Sequence, residues 1–177
     1  MSNLRFLSEH SASSVSEFSV TDIFTSDFSI YKIVVTDIDQ SSTGGSHNNI
    51  SFLTNGSDVI LGASYDYARQ QLRAYNTAAE DSAVNQSKFR LLGQTTGNSA
   101  VGATGVMYII KPTDDTCYTF AFGQNSGYYE SAGALGGKGI AVHKQFASVT
   151  GLKFYPQNTS LTYDKIAFKV YGLAIDT

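Results

Sequence analysis

Asp27-Phe28-Ser29-Ile30-Tyr31-Lys32-Ile33-Val34-Val35-Thr36-Asp37-Ile38 is the stretch on which the fold turns. Tyr31, Ile33 and Val35 fall on one side of an extended chain, and Ile30, Lys32 and Val34 on the other. The residues are β-branched or aromatic, as a pleated, half-buried surface prefers. Ser41-Ser42-Thr43-Gly44-Gly45-Ser46 then breaks the pattern as a turn cluster should.

Outward from this strand the same grammar repeats. Ser16 to Val20 alternates before it, and Asn49 to Leu53 resumes after it. Asn55-Gly56 reads as a tight hairpin turn, because both residues tolerate positive φ, with Ser57 to Leu61 as the returning partner. Tyr65 to Ala79 carries two signals. Tyr65, Arg69, Leu72, Tyr75 and Ala79 recur at helical spacing, whereas Tyr65 and Tyr67 alternate. The reading taken is a strand over Tyr65 to Tyr75, with a turn of helix allowed near Thr77 to Ala83. Lys88 to Leu92, Val106 to Lys111, Cys117 to Phe122, Ile140 to Phe146, Thr150 to Tyr155 and Lys165 to Leu173 complete the strands. Gly93 to Gly105 and Gly123 to Gly139 read as Gly-rich loops, the second containing Tyr128 and Tyr129.

Composition agrees. The 177 residues include 16 Gly, 11 Tyr and 11 Phe but only 2 Pro and no Trp. Hydrophobic residues make up 42% and charged residues 15%, which excludes the highly charged, weakly apolar composition of disorder. A chain of this length buries roughly 70% of its unfolded surface in a single domain. Residues 1–177 are therefore expected to form one all-β domain: a β-sandwich of the jelly-roll type, with about nine or ten short antiparallel strands. The net charge of −3 argues against a nucleic-acid partner. No apolar run is long enough to span a bilayer, and the first thirty residues lack a signal-peptide core.

Motifs for chemistry mostly fail on spacing. In Gly133-Ala134-Leu135-Gly136-Gly137-Lys138-Gly139 the first Gly stands one residue too close to Gly-Lys, and Gly139 sits where a phosphate-binding loop needs a hydroxyl. His10, His47 and His143 lie far apart in no metal-ligand pattern; the first two read as solvated and His143 as a strand-face residue. Cys117, the single cysteine, reads as a buried, inert thiol. Asp37 and Asp39 flank Ile38 and are weak calcium candidates, lacking the rest of a calcium loop. A hydrolase would rest on these two and Asp114 alone, so no enzyme activity and no cofactor are expected.

Four pieces resemble small virion structural proteins of tailed bacteriophages, notably those of marine cyanobacteria. They are Asp27 to Val35; Tyr65-Asp66-Tyr67-Ala68 with Leu72-Arg73; Val106 to Pro112 with Tyr118-Thr119-Phe120; and Lys169-Val170-Tyr171-Gly172-Leu173. Their order covers residues 4 to 176. The resemblance implies a jelly-roll subunit without catalytic residues on the exterior of a phage particle. Its place there is capsid decoration or a tail-fibre or baseplate part, and its partners are other virion proteins. Such subunits assemble as symmetric homo-oligomers, trimers among them. Residues 1–14 are the expected docking arm, because Leu4, Phe6 and Leu7 need burial somewhere. Tyr128 and Tyr129 are the other interaction candidates, and the competing reading is a carbohydrate-binding module for a host glycan.

Overall fold

The computed structural model describes residues 3–41, 46–55, 58–59, 62–74, 78–95, 102–129 and 133–173. Among them lie thirteen strands and no helix: β1 (Leu4–Ala12), β2 (Phe18–Val20), β3 (Ile30–Gln40), β4 (Ser46–Thr54), β5 (Asp58–Val59), β6 (Tyr65–Arg73), β7 (Ala79–Gln86), β8 (Gln94–Thr95), β9 (Ala103–Ile110), β10 (Thr119–Tyr129), β11 (Gly133–His143), β12 (Gly151–Pro156) and β13 (Tyr163–Leu173). All pairings are antiparallel. A large sheet runs β1-β13-β3-β9-β10-β11-β6-β7, and a small one β2-β12-β4-β5 with β8 also on β4.

The order defines the topology. Eight strands, β1, β2, β3, β4, β8, β9, β12 and β13, pass from one sheet to the other along the chain, except that β4 and β8 pair on the same side. They give β1-β13-β3-β9 opposite β2-β12-β4-β8, which is the strand order of a jelly roll. Two hairpins are added to it. The β6–β7 and β10–β11 pairs continue the large sheet beyond β9 and make up its other half.

The decisive strand behaves as its alternation requires. Tyr31, Ile33 and Val35 are buried, and an irregularity between Val35 and Ile38 turns Ile38 inward as well. Ile166, Phe168 and Val170 of β13 face the same core, fully buried. From the small sheet, Phe154 meets Phe168 with ring centroids 5.3 Å apart. Phe52 packs on Phe89 at 5.1 Å, and the Tyr65 hydroxyl accepts the Phe52 N–H at 2.9 Å. Tyr31 keeps its polar end satisfied by donating to the Thr25 carbonyl at 2.7 Å. One apolar cluster joins the two sheets.

Four expectations are corrected. Among the described residues the strands number thirteen rather than about nine or ten. Residues 79–83 belong to β7 instead of a turn of helix: inward Tyr65, Tyr67, Arg69 and Gln71 follow period two, and the helical spacing in the sequence is coincidental. Tyr75 lies outside the described residues. The Gly-rich connection over Gly123 to Gly139 is instead the β10–β11 hairpin, with eleven cross-strand pairs from Thr119↔His143 to Tyr129↔Gly133. Glycine weakens strands in general, but here it makes room. The segment from Phe89 to Gly93 lies under the added half of the sheet. A Cβ on Gly139 would stand 2.8 Å from the Arg69 Cβ and 3.1 Å from a Leu91 methyl, and one on Gly105 would stand 2.8 Å from a Leu92 methyl. Asn125 donates to the Leu91 carbonyl at 2.7 Å and Arg69 to that of Leu92 at 3.1 Å. Phe89 itself joins only one isolated bridge, to Ile50, where a strand over Lys88 to Leu92 was expected.

The expected arm is also resolved. Over Leu4–Ala12 it is the first strand of the large sheet, paired with β13 from Leu4↔Leu173 to Ala12↔Ile166. Among the described residues no strand lies beside its other edge.

A candidate interaction face on the large sheet

Residues directly opposite each other on neighbouring strands share a face, so the register lays out the surface of the large sheet that points away from the small one. One lateral row reads Leu4, Leu173, Ile30, Ile110, Phe120, Val142, Asp66. The next reads Phe6, Tyr171, Lys32, Tyr108, Phe122, Ile140, Ala68, Ser82. A third reads Glu9, Lys169, Val34, Val106, Gln124, Lys138, Gln70, Glu80.

An antiparallel sheet with one solvated face normally turns polar residues outward. The first two rows do the opposite. Phe6 is 52% exposed, Phe120 50% and Ile140 64%, which leaves a band of large apolar side chains open to water. Tyr118 and Phe146 prolong it past the ends of β10 and β11, stacked at 5.2 Å. Phe6 and Tyr171 meet edge-on at 5.6 Å, and Tyr108 and Phe122 stack at 4.9 Å with 13° between planes. Phe120, Ile140, Val142, Ala68 and Val84 surround an almost wholly apolar hollow of about 630 Å³.

Leu4 and Phe6, singled out in the sequence, lie in this band. Leu7 does not; it is half-buried and packs against the core. Tyr128 is exposed on the same face, separated from Phe122 by Gln124 and Ser126 along β10. Tyr129 is paired with Gly133 at the end of the hairpin, and its side chain lies outside the described residues.

The other sequence candidates disperse. Asp37 is ion-paired with Lys165 at 2.6 Å. Asp39 is buried, with Oδ1 lacking a hydrogen-bond partner, and its pKa is raised by burial and by Asp164 and Asp37. Among the described residues no group of three or more His, Cys, Asp or Glu side chains is placed to hold a metal ion. Asp114 closes its own turn, accepting from the Thr116 hydroxyl at 2.6 Å and the Thr116 N–H at 3.0 Å, which pulls its pKa down to about 2. Cys117 stands half-buried in that turn rather than in the core.

His143 lies on a strand face of β11 as expected, on the inward side. His10 and His47 depart from their solvated settings, His10 half-buried in β1 with its ring centroid 5.4 Å from that of Phe168. His143 is 1% exposed, against Tyr65 at 5.0 Å and Phe52 at 5.9 Å, and neither ring nitrogen is hydrogen-bonded with good geometry. Burial pushes its pKa down to about 4, outweighing an opposing contact with Gln145. His47, read as solvated, joins a buried polar cluster. Arg69 places Nη2 2.7 Å from His47 Nδ1 and 2.8 Å from Asp81 Oδ2, and donates through Nε to the same carboxylate oxygen at 2.9 Å. Arg90 approaches Asp81 at 3.7 Å and donates to Asn49 at 3.0 Å. Burial, then the charges of Arg69 and Arg90, bring His47 to about 4, so it stays neutral beside them. Sequence spacing gave no sign of this cluster. The outward aromatics did leave one: in β10 the large residues Phe120 and Phe122 alternate with small Ala121 and Gly123.

No protein-family model matches this chain, and no match is found among curated proteins.

Proposed function

We propose that the chain is a non-enzymatic structural subunit of a bacteriophage particle, carried on the exterior as a capsid decoration or a tail-fibre or baseplate part. It is held to other virion proteins, and to copies of itself in a symmetric oligomer, by protein–protein contacts. The observation that carries the reading is the apolar band on the outer face of the large sheet. Contiguous exposed apolar surface of this kind marks an interaction site in a soluble domain. Across eight strands it extends about 34 Å, from seven steps of about 4.8 Å, a span suited to a standard interface of about 800 Å² per partner. The four motifs that resemble phage virion proteins supply the identity of the partners.

Particle incorporation tests it. Purified particles are analysed by mass for this chain, alongside particles assembled with Phe120→Ser and Ile140→Ser combined. The chain is expected in wild-type particles and strongly depleted with the variant. Its absence from wild-type particles rejects the virion role, and undiminished incorporation of the variant rejects the band as the docking surface.

A further inference from the structure

From the second row of the apolar band to the third row, toward the hairpin tip of β10, the outer face changes character. Two shallow grooves of about 590 and 660 Å³ adjoin across Phe122, Gly123 and Gln124. The first is walled by Lys32, Tyr108 and Phe122, the second by Gln70, Lys138 and Ile140. The volumes fall within the usual range for small-molecule sites.

Some polar groups here are engaged within the fold, Arg69 with Asp81, Asn125 with the Leu91 carbonyl and Thr104 with Ser126, but among the described residues the lysines are not. Of eight lysines, five are ion-paired: Lys111, Lys144, Lys153, Lys165 and Lys169. Lys32 and Lys138 belong to the remainder, with no ion pair among the described residues. Lys32 is half-buried between Tyr171 and Tyr108 in its row. An ammonium set among aromatic and aliphatic side chains calls for an anion from whatever covers it. Lys138 lies three strands away, about 14 Å. Glu80 and Asp81, on β7 at the far end of the second groove, confine negative charge on a ligand to the stretch from β3 to β11, Asp81 being itself paired with Arg69.

We propose that this double groove binds an acidic oligosaccharide carrying carboxylates. It would lie across the strands, its apolar ring faces on Tyr108 and Phe122 and its carboxylates at Lys32 and Lys138. Three features select this class. The two cations are sparse, unlike the dense clusters that polyphosphates and nucleic acids require. Gln124 and Gln70 add amide donors and acceptors next to the aromatic platform, which suits hydroxyls that alternate with C–H faces. The strands beneath, β3, β9, β10, β11 and β6, are each paired on both sides, so a peptide laid there could not be held by strand addition. The assignment goes beyond the docking role. It shares Tyr108, Phe122 and Ile140 with the docking band, so it describes this face where no protein partner covers it. Its test does not depend on whether the chain is a particle subunit.

Titration calorimetry with an oligogalacturonate, a neutral maltooligosaccharide and polyglutamate tests it on the intact chain. The uronate is expected to bind, more weakly as salt is raised, with the neutral sugar and polyglutamate at least about tenfold weaker. Lys32→Met and Tyr108→Ala should each reduce uronate affinity about tenfold or more. Lys153→Met, on the small sheet, should leave it unchanged, and thermal melting confirms that each variant is folded. No uronate binding, or binding indifferent to Lys32→Met and Tyr108→Ala, overturns the proposal. Polyglutamate binding as tightly as the uronate overturns it in favour of an acidic protein partner.

Discussion

β13 and β10 belong to the same sheet and distribute their side chains in opposite ways. In β13 the large apolar residues, Ile166, Phe168 and Val170, point inward and are fully buried, while Lys169 and Tyr171 point out. In β10 the inward residues are Ala121 and Gly123, and Phe120 and Phe122 are the ones in water. What lies beneath explains the difference. β13 is covered by the small sheet, whose side chains interdigitate with its own, as the Phe154–Phe168 contact shows. β10 has no facing strand of that kind: Asn125 holds the Leu91 carbonyl, and the Leu91 and Leu92 methyls come close to Gly139 and Gly105 on the strands either side. Inward bulk therefore reports the kind of cover a strand receives.

Breaking the conventional side of this contrast has the largest effect. Phe168→Ala opens a cavity in the tightest part of the core and should lower unfolding free energy by about 3–5 kcal/mol in urea denaturation. Arg69→Met strikes the polar interior under the added strands. It leaves Asp81 without its main partner, but Asp81 is 28% exposed, so the expected loss is about 2–3 kcal/mol by the same assay.

Acid sharpens the contrast from inside. The His143 pKa is about 4 in the fold against 6.5 ordinarily, so between these values the unfolded chain binds the extra proton. Its contribution is complete above pH 6.5 and is lost as pH falls toward 4, roughly 2–3 kcal/mol at about 1.4 kcal/mol per unit with some relaxation. His47 adds a loss of the same sign. Stability measured against pH should show this fall, and His143→Phe should remove its own share; an unchanged slope in that variant would rule out His143 as a source.

On the outer face the smallest effect is expected. Phe120→Ser with Ile140→Ser should change stability by no more than about 0.5 kcal/mol, because neither side chain has a packing partner to lose comparable to that of Phe168. A loss of several kcal/mol would mean that the band supports the fold itself.

The same contrast separates what the sequence could disclose from what it could not. Alternation made β3 and β13 readable, since their burial is set by a facing sheet and leaves period two intact. The jelly-roll order was likewise within reach of regularly spaced strands and turns. The β10–β11 hairpin was hidden because glycine signals a turn to any local reading, and only the distant segment at Leu91 and Leu92 reveals why it is there. The band and the Arg69–Asp81–His47 cluster depend on register between strands remote in sequence, and no local window contains it. Leu4 and Phe6 were found because an apolar run is conspicuous wherever it falls, although they serve an edge strand rather than a loose arm.

That edge strand also sets a timetable. Among the described residues β1 finds its only neighbouring strand in β13, with Leu4 opposite Leu173. On a ribosome β1 must wait, apolar side chains uncovered, until β13 emerges. Pairing so remote in sequence closes slowly, and the waiting segment is exposed to chaperones and to wrong partners. The edge of the large sheet is thus completed only after β13 has been made, with the strands between them already synthesised.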